Sequence, residues 1–239
     1  MKKLNRGLYT IAFGALCTFD SNGQGCSDAG FCTINALKPN STAQAAATYN
    51  QVKAGAFFGN GDQAVSAYGL YVEYNKQVNR RFGFDARLTT LAQSGNGIAV
   101  MGLSDFFATA NYNITDNVKL TLGTKIPLSA ANKRYNNLPL PMDYQSSLGT
   151  WDAIVGIGFA IKKVQINVAL QQPLTDNKNQ FLASAYPANS KLRKFQSTNQ
   201  FKRSGDVLMR LSYPVPLNAK LKLTPSVLPI YHLTNDRFT

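Results

Sequence analysis

Glu73, Asp85, Arg87, Lys119, Lys125, Asp152, Lys163, Asp206 and Arg210 fall inside apolar stretches, each opposite a row of Val, Leu, Ile or Phe. A charge placed in this way is tolerated where water or an opposite charge receives it. The nine are therefore expected to line a polar interior. They act there either as a field that selects ions or as pairs that fill a narrow barrel. Covalent and acid–base chemistry has less support. His232 is the single histidine, beside Tyr231 and after Pro229. It has a general base's nitrogen, yet there is no G-x-S-x-G elbow and no spacing ties it to a serine. It reads as a structural residue, so no catalytic residue is assigned and no enzymatic activity is expected. Metal ligands are too few for a site, and no metal or cofactor is expected.

These charges need strands to position them. Phe82, Phe84, Ala86 and Leu88 share one face, with Asp85 and Arg87 on the other; Val118, Leu120, Leu122, Thr124 and Ile126 oppose Lys119 and Lys125. Trp151, Ala153, Val155, Ile157, Phe159 and Ile161 oppose Asp152, Ile154, Gly156 and Gly158. Val164, Ile166, Val168 and Leu170 oppose Lys163, Gln165, Asn167 and Gln171, and Val207, Met209, Leu211 and Tyr213 oppose Asp206, Leu208 and Arg210. Less regular alternation covers 51–58, 64–76, 103–113 and 219–232. Period two without helical period predicts an all-β chain of about nine strands. Their length, about 8 to 13 residues, exceeds the common soluble strand and suits a strand that crosses a bilayer at a tilt.

The connections alternate in length. Those at 59–63, 93–102, 129–150 and 173–202 run up to about thirty residues, and those between them stay at about five or fewer. Short turns at one end and long loops at the other mark an antiparallel up-and-down transmembrane β-barrel. Tyr74, Phe82, Tyr112, Trp151 and Tyr213 at strand ends fit interfacial aromatic belts. Nine is an odd count for such a barrel, and Asn235 to Thr239 looks like the start of another loop, so nine readable strands of about twelve are expected.

Composition agrees. Of 239 residues, 44% are hydrophobic and only 15% charged, with 25 Lys and Arg against 12 Asp and Glu. That excludes a disordered tail or a charge-laced helical bundle. Lys2, Lys3 and Arg6 precede the apolar run Leu8 to Phe19 and the small polar residues Asp20 to Gly25, the pattern of a signal peptide over 1–23. Its removal takes three basic residues and Asp20, leaving 22 basic against 11 acidic, a net +11. Export argues against nucleic acid as the partner of this charge. In an oxidising compartment Cys26 and Cys32 are expected to form a local disulfide. Residues 24–50 then form a periplasmic segment, either a plug in the barrel mouth or a flexible leader, and 51–239 form the barrel. The loop residues Lys178, Lys191, Arg193, Lys194, Lys202 and Arg203 face only Asp176 and form an outer basic loop, suited to the phosphates of outer-membrane lipid and lipopolysaccharide.

Several segments carry a resemblance. Gly102-Leu103-Ser104-Asp105, Gly123-Thr124-Lys125-Ile126-Pro127 and Leu148-Gly149-Thr150-Trp151-Asp152 stand at strand ends. With Gln24 to Cys32 and the loop Leu138 to Ser147, they resemble the outer-membrane family named after the MetA pathway of phenol degradation, in a Bacteroidota-type branch. The resemblance covers about 24–239 and implies a barrel transporter in the outer membrane of a Gram-negative bacterium. The expected function is a channel or transporter for small hydrophobic or anionic solutes. A non-conducting structural subunit of an outer-membrane assembly is the alternative, and a lipid-modifying enzyme a weaker one.

Overall fold

The computed structural model describes Ile34, Leu37, Lys38 and residues 49–218 and 221–238. The expected signal peptide, Cys26 and Cys32 lie outside the described residues, as does most of 24–50.

Alternation along the sequence becomes strand throughout. β1 (Tyr49–Asn60), β2 (Ser66–Gln77), β3 (Phe82–Gly95), β4 (Ile98–Thr115) and β5 (Val118–Pro127) pair antiparallel in chain order. β6 (Arg134–Tyr135) and β7 (Leu138–Pro139) form a small hairpin within the first long loop. β8 (Asp152–Ile161) then pairs with β5, β9 (Val164–Pro173) with β8, and β10 (Asp206–Ser212) with β9. β11 (Val215–Pro216) and β12 (Lys222–Leu223) form a hairpin, and β13 (Ser226–Val227) and β14 (Ile230–His232) both pair with β10. The last two are pieces of one ninth strand. Pro225 precedes it and Pro229 interrupts it, both tolerable because it is an edge, while their carbonyls accept from Tyr213 N and Met209 N, respectively, at 3.0 Å.

The nine-strand antiparallel sheet curls into a half-barrel. Two irregularities aid the curl, since bulges bend a strand and increase its twist. One lies where β3 and β4 shift register between Leu88 and Thr90, the other near Asn113 on β4. Bare glycine faces also admit rings inside the curve. A Cβ on Gly69 would stand 1.9 Å from the Phe57 ring, and one on Gly55 would stand 2.6 Å from Tyr71. Both rings cover the glycine paired opposite them.

The faces are inverted relative to a protein folded in water. Val72, Leu88, Leu122, Val155 and Met209 are exposed on the convex face, whereas Glu73, Asp85, Arg87, Lys125, Asp152 and Asp206 are buried on the concave one. Leu122 is 51% and Asp152 0% exposed, opposite to the ordering that burial of apolar area drives in water.

All the long connections gather at one end. There the 128–151 and 174–205 loops share a core of Val65, Ile98, Leu140, Tyr144, Phe181, Tyr186, Leu192 and Phe195. Asn179 ties the loops together. Its amide donates to Ala131 O at 3.1 Å and Leu140 O at 2.9 Å, and its Oδ1 accepts from Phe181 N and Thr198 Oγ1. One expected loop is absent: 93–102 is mostly strand, because Asn96 (φ 54°) and Gly97 (φ 79°) make a two-residue turn. Adjacent Asn and Gly adopt positive φ readily and match hairpin twist.

Candidate functional site

The concave face carries two charged groups at different heights. Near the short-turn end, the five strands β1 to β5 contribute facing side chains. Asn75 Nδ2 donates to Asp85 Oδ1 at 2.7 Å and to Glu73 Oε1 at 3.2 Å, and Asn111 Nδ2 donates to Asp85 Oδ2 at 2.6 Å. Thr121 Oγ1 donates to Asn111 Oδ1 at 2.9 Å. Arg87 lies 3.8 Å from Glu73 and stacks 3.9 Å over the Tyr71 ring, while Lys53 reaches the same carboxylate at 3.9 Å. Lys119 is buried beside this network, with Asp85 as its electrostatic partner.

Near the long-loop end a second chain of charges crosses β5, β8 and β10. Lys125 Nζ lies 2.7 Å from Asp152 Oδ2 and donates to Thr150 Oγ1 at 3.2 Å. Arg203 bridges Asp152, at 3.6 Å, and Asp206, and Gln171 donates to Asp152. Asp206 Oδ1 meets His232 Nδ1 at 2.5 Å. Asp105 joins through Ser104 and Ser147, whose hydroxyls donate to it at 2.7 and 2.6 Å.

Seven of the nine charges expected inside are buried there, and Arg210 is half-buried on the same face of β10. Lys163 is not among them: it is exposed in the tight Lys162–Lys163 turn. Arg203 also departs from its expected place. Lys178, Lys191, Arg193 and Lys194 are exposed on the loop and Lys202 pairs with Asp176 at 3.4 Å, but the Arg203 guanidinium is buried between two interior carboxylates. It sits where the loop dives into β10, and the two carboxylates repay its desolvation.

Asp105 escapes sequence reasoning for a local reason. The register shift sets Ser104 and Asp105 of β4 against Thr89 alone, so consecutive residues both turn inward and the alternation is broken. Lys38 is another interior group; burial pushes its ammonium below the ordinary lysine range, with Glu73 opposing. His232 is anchored by Asp206, directly opposite it in the ladder, and remains half-exposed. Among the described residues no group of three or more His, Cys, Asp or Glu is placed to hold a metal ion.

Between the charged groups lies a strip of a different kind. Phe107, Ile154, Ala169 and Leu208 are buried on the concave face, with Gly123 and Gly156 interspersed. The architecture therefore defines a class: an antiparallel β half-barrel with an apolar exterior and a charged, hydrogen-bonded interior. No protein-family model matches the chain, and no curated protein matches it.

Proposed function

We propose that the chain forms the wall of an outer-membrane barrel that serves as a channel or transporter for small solutes. The inverted faces carry this reading. Exposed Val, Leu, Ile and Met on successive strands are costly against water and favourable against hydrocarbon, and charges on a spanning strand belong on the lumen side. Dimensions agree. The ten residues of β8 rise about 3.3 Å each. Tilted by roughly 40°, such a strand covers about 25 Å of bilayer, the height of an outer-membrane apolar band. Outward Phe82, Tyr112 and Tyr213 near the short turns and Trp151 near the long loops sit where aromatic girdles meet the headgroups. The exposed Lys178, Lys191, Arg193 and Lys194 on the loop end fit the phosphates of lipopolysaccharide.

A second reading, a non-conducting subunit of an outer-membrane assembly, is favoured by the pairing of the interior charges and the packed core of the long loops. Recording from the full chain in a planar bilayer separates the two. Discrete, ion-selective steps support the channel; correctly inserted but silent protein supports the structural subunit; a protein that stays in the aqueous fraction and does not insert overturns both.

A further inference from the structure

The apolar strip inside the half-barrel is covered by the chain's own N-terminal side. Ile34 and Leu37 are 2% and 1% exposed and pack with Phe107, Ile154, Ala169 and Leu208, with Leu228 against the group. Leu37 N donates to Ile34 O at 3.2 Å. That turn brings residues three apart to one side. The wall is shaped to receive them. A Cβ on Gly156 would stand 3.2 Å from Leu37 Cδ2 and 3.2 Å from Ala169 Cβ, so the bare glycine makes the recess that Leu37 enters. Lys38, next in the chain, is attracted by Glu73 and repelled by Arg87, Lys53 and Arg210. These three residues therefore span from the apolar strip to the charged network near the short turns.

We propose that Ile34 and Leu37, with Lys38 beside them, are an internal plug, held by the strip Phe107–Ile154–Ala169–Leu208, which narrows the passage through the barrel. The strip is the binding surface and this chain's own residues are its occupant. Apolar side chains on a lumen wall have no purpose toward water; covering them with Ile34 and Leu37 removes that cost. The seating does not depend on whether the barrel conducts, whereas its effect on conductance rests on the channel reading.

The test uses the full chain, with Cys17, Cys26 and Cys32 replaced by Ser and Leu37→Cys as the sole thiol. In the folded, membrane-inserted protein a polar maleimide should label Leu37→Cys at least about tenfold more slowly than Asp116→Cys in an exposed turn, because labelling must wait for local opening. Filling the recess from the wall with Gly156→Leu, or charging it with Leu208→Asp, should remove most of that protection. Equal labelling of Leu37→Cys and Asp116→Cys overturns the proposal. In a planar bilayer Leu37→Asp should raise the conductance of each open step above the parent's, and unchanged conductance in a conducting barrel overturns the plug while sparing the channel. Protection of Leu37→Cys in a barrel that never conducts upholds the seat and overturns the channel instead.

Discussion

A lysine placed on the convex face measures directly what that face touches. Val155 is the fourth of ten residues in β8, close to mid-strand, flanked by Leu122 on β5 and Leu170 on β9. It is 46% exposed, so Val155→Lys meets no steric obstacle. If the face were in water, the substitution would cost no more than about 0.5 kcal/mol, as for most surface changes. Against hydrocarbon near the midplane a lysine costs roughly 2–4 kcal/mol, falling to about 0–1 near the interface. At about 1.4 kcal/mol per tenfold, the mid-strand penalty corresponds to a loss of roughly 30- to 700-fold in the folding equilibrium. Ile161, at the strand end beside the Lys162 turn, supplies the internal control because it is even more exposed. Reversible denaturant unfolding in lipid vesicles should show Val155→Lys destabilised by about 2–4 kcal/mol and Ile161→Lys by less than about 1 kcal/mol. Equal, small effects at the two positions would refute the membrane-facing assignment.

The interior, the turns and the loops give further expectations. Lys125→Met strands the buried Asp152 carboxylate with Arg203 as its remaining cation. It should cost about 3–5 kcal/mol, with part regained in Lys125→Met/Asp152→Asn, by the same unfolding assay. Gly97→Ala meets nothing within 4 Å but keeps φ at 79°. It should cost about 1 kcal/mol from backbone strain alone. Gly69→Val would drive the Phe57 ring from its seat and should cost about 1–3 kcal/mol. Burial raises the phenol of Tyr144, whose hydroxyl donates to Gly95 O at 2.9 Å. The folded state therefore keeps its proton longer than the unfolded state, so its contribution is complete below about pH 10 and is lost as pH rises through the raised value. Tyr144→Phe should flatten that alkaline loss of stability.

The nine strands were legible because an apolar face and a polar face write period two into the chain, as in Asp152 to Ile161. The charged residues inside were legible for the same reason: Lys119 and Lys125, or Asp206 and Arg210, stand an even number of residues apart and share a face. The failures mark where local order breaks. Asp105 lies at a register shift, where parity no longer tells inside from outside. Arg203 is adjacent to Lys202 in sequence, and only the path of the chain into β10 separates their fates. The 93–102 connection reads as a loop from its small and polar residues, yet the Asn96–Gly97 turn lets both strands continue beyond it.

Alternation and loop asymmetry are local properties, so the sequence by itself determined an antiparallel all-β chain and, wherever parity is unbroken, the face a strand turns inward. Partners distant along the chain are not local. That Arg87 meets Glu73 over Tyr71, that Lys125, Asp152, Arg203, Asp206 and His232 form one line, and that Asn179 joins two loops depends on register and curl. The same holds for the apolar strip. Phe107, Ile154, Ala169 and Leu208 come from four strands and read singly as interruptions of a polar face, and only the curled sheet assembles them into a surface that Ile34 and Leu37 cover.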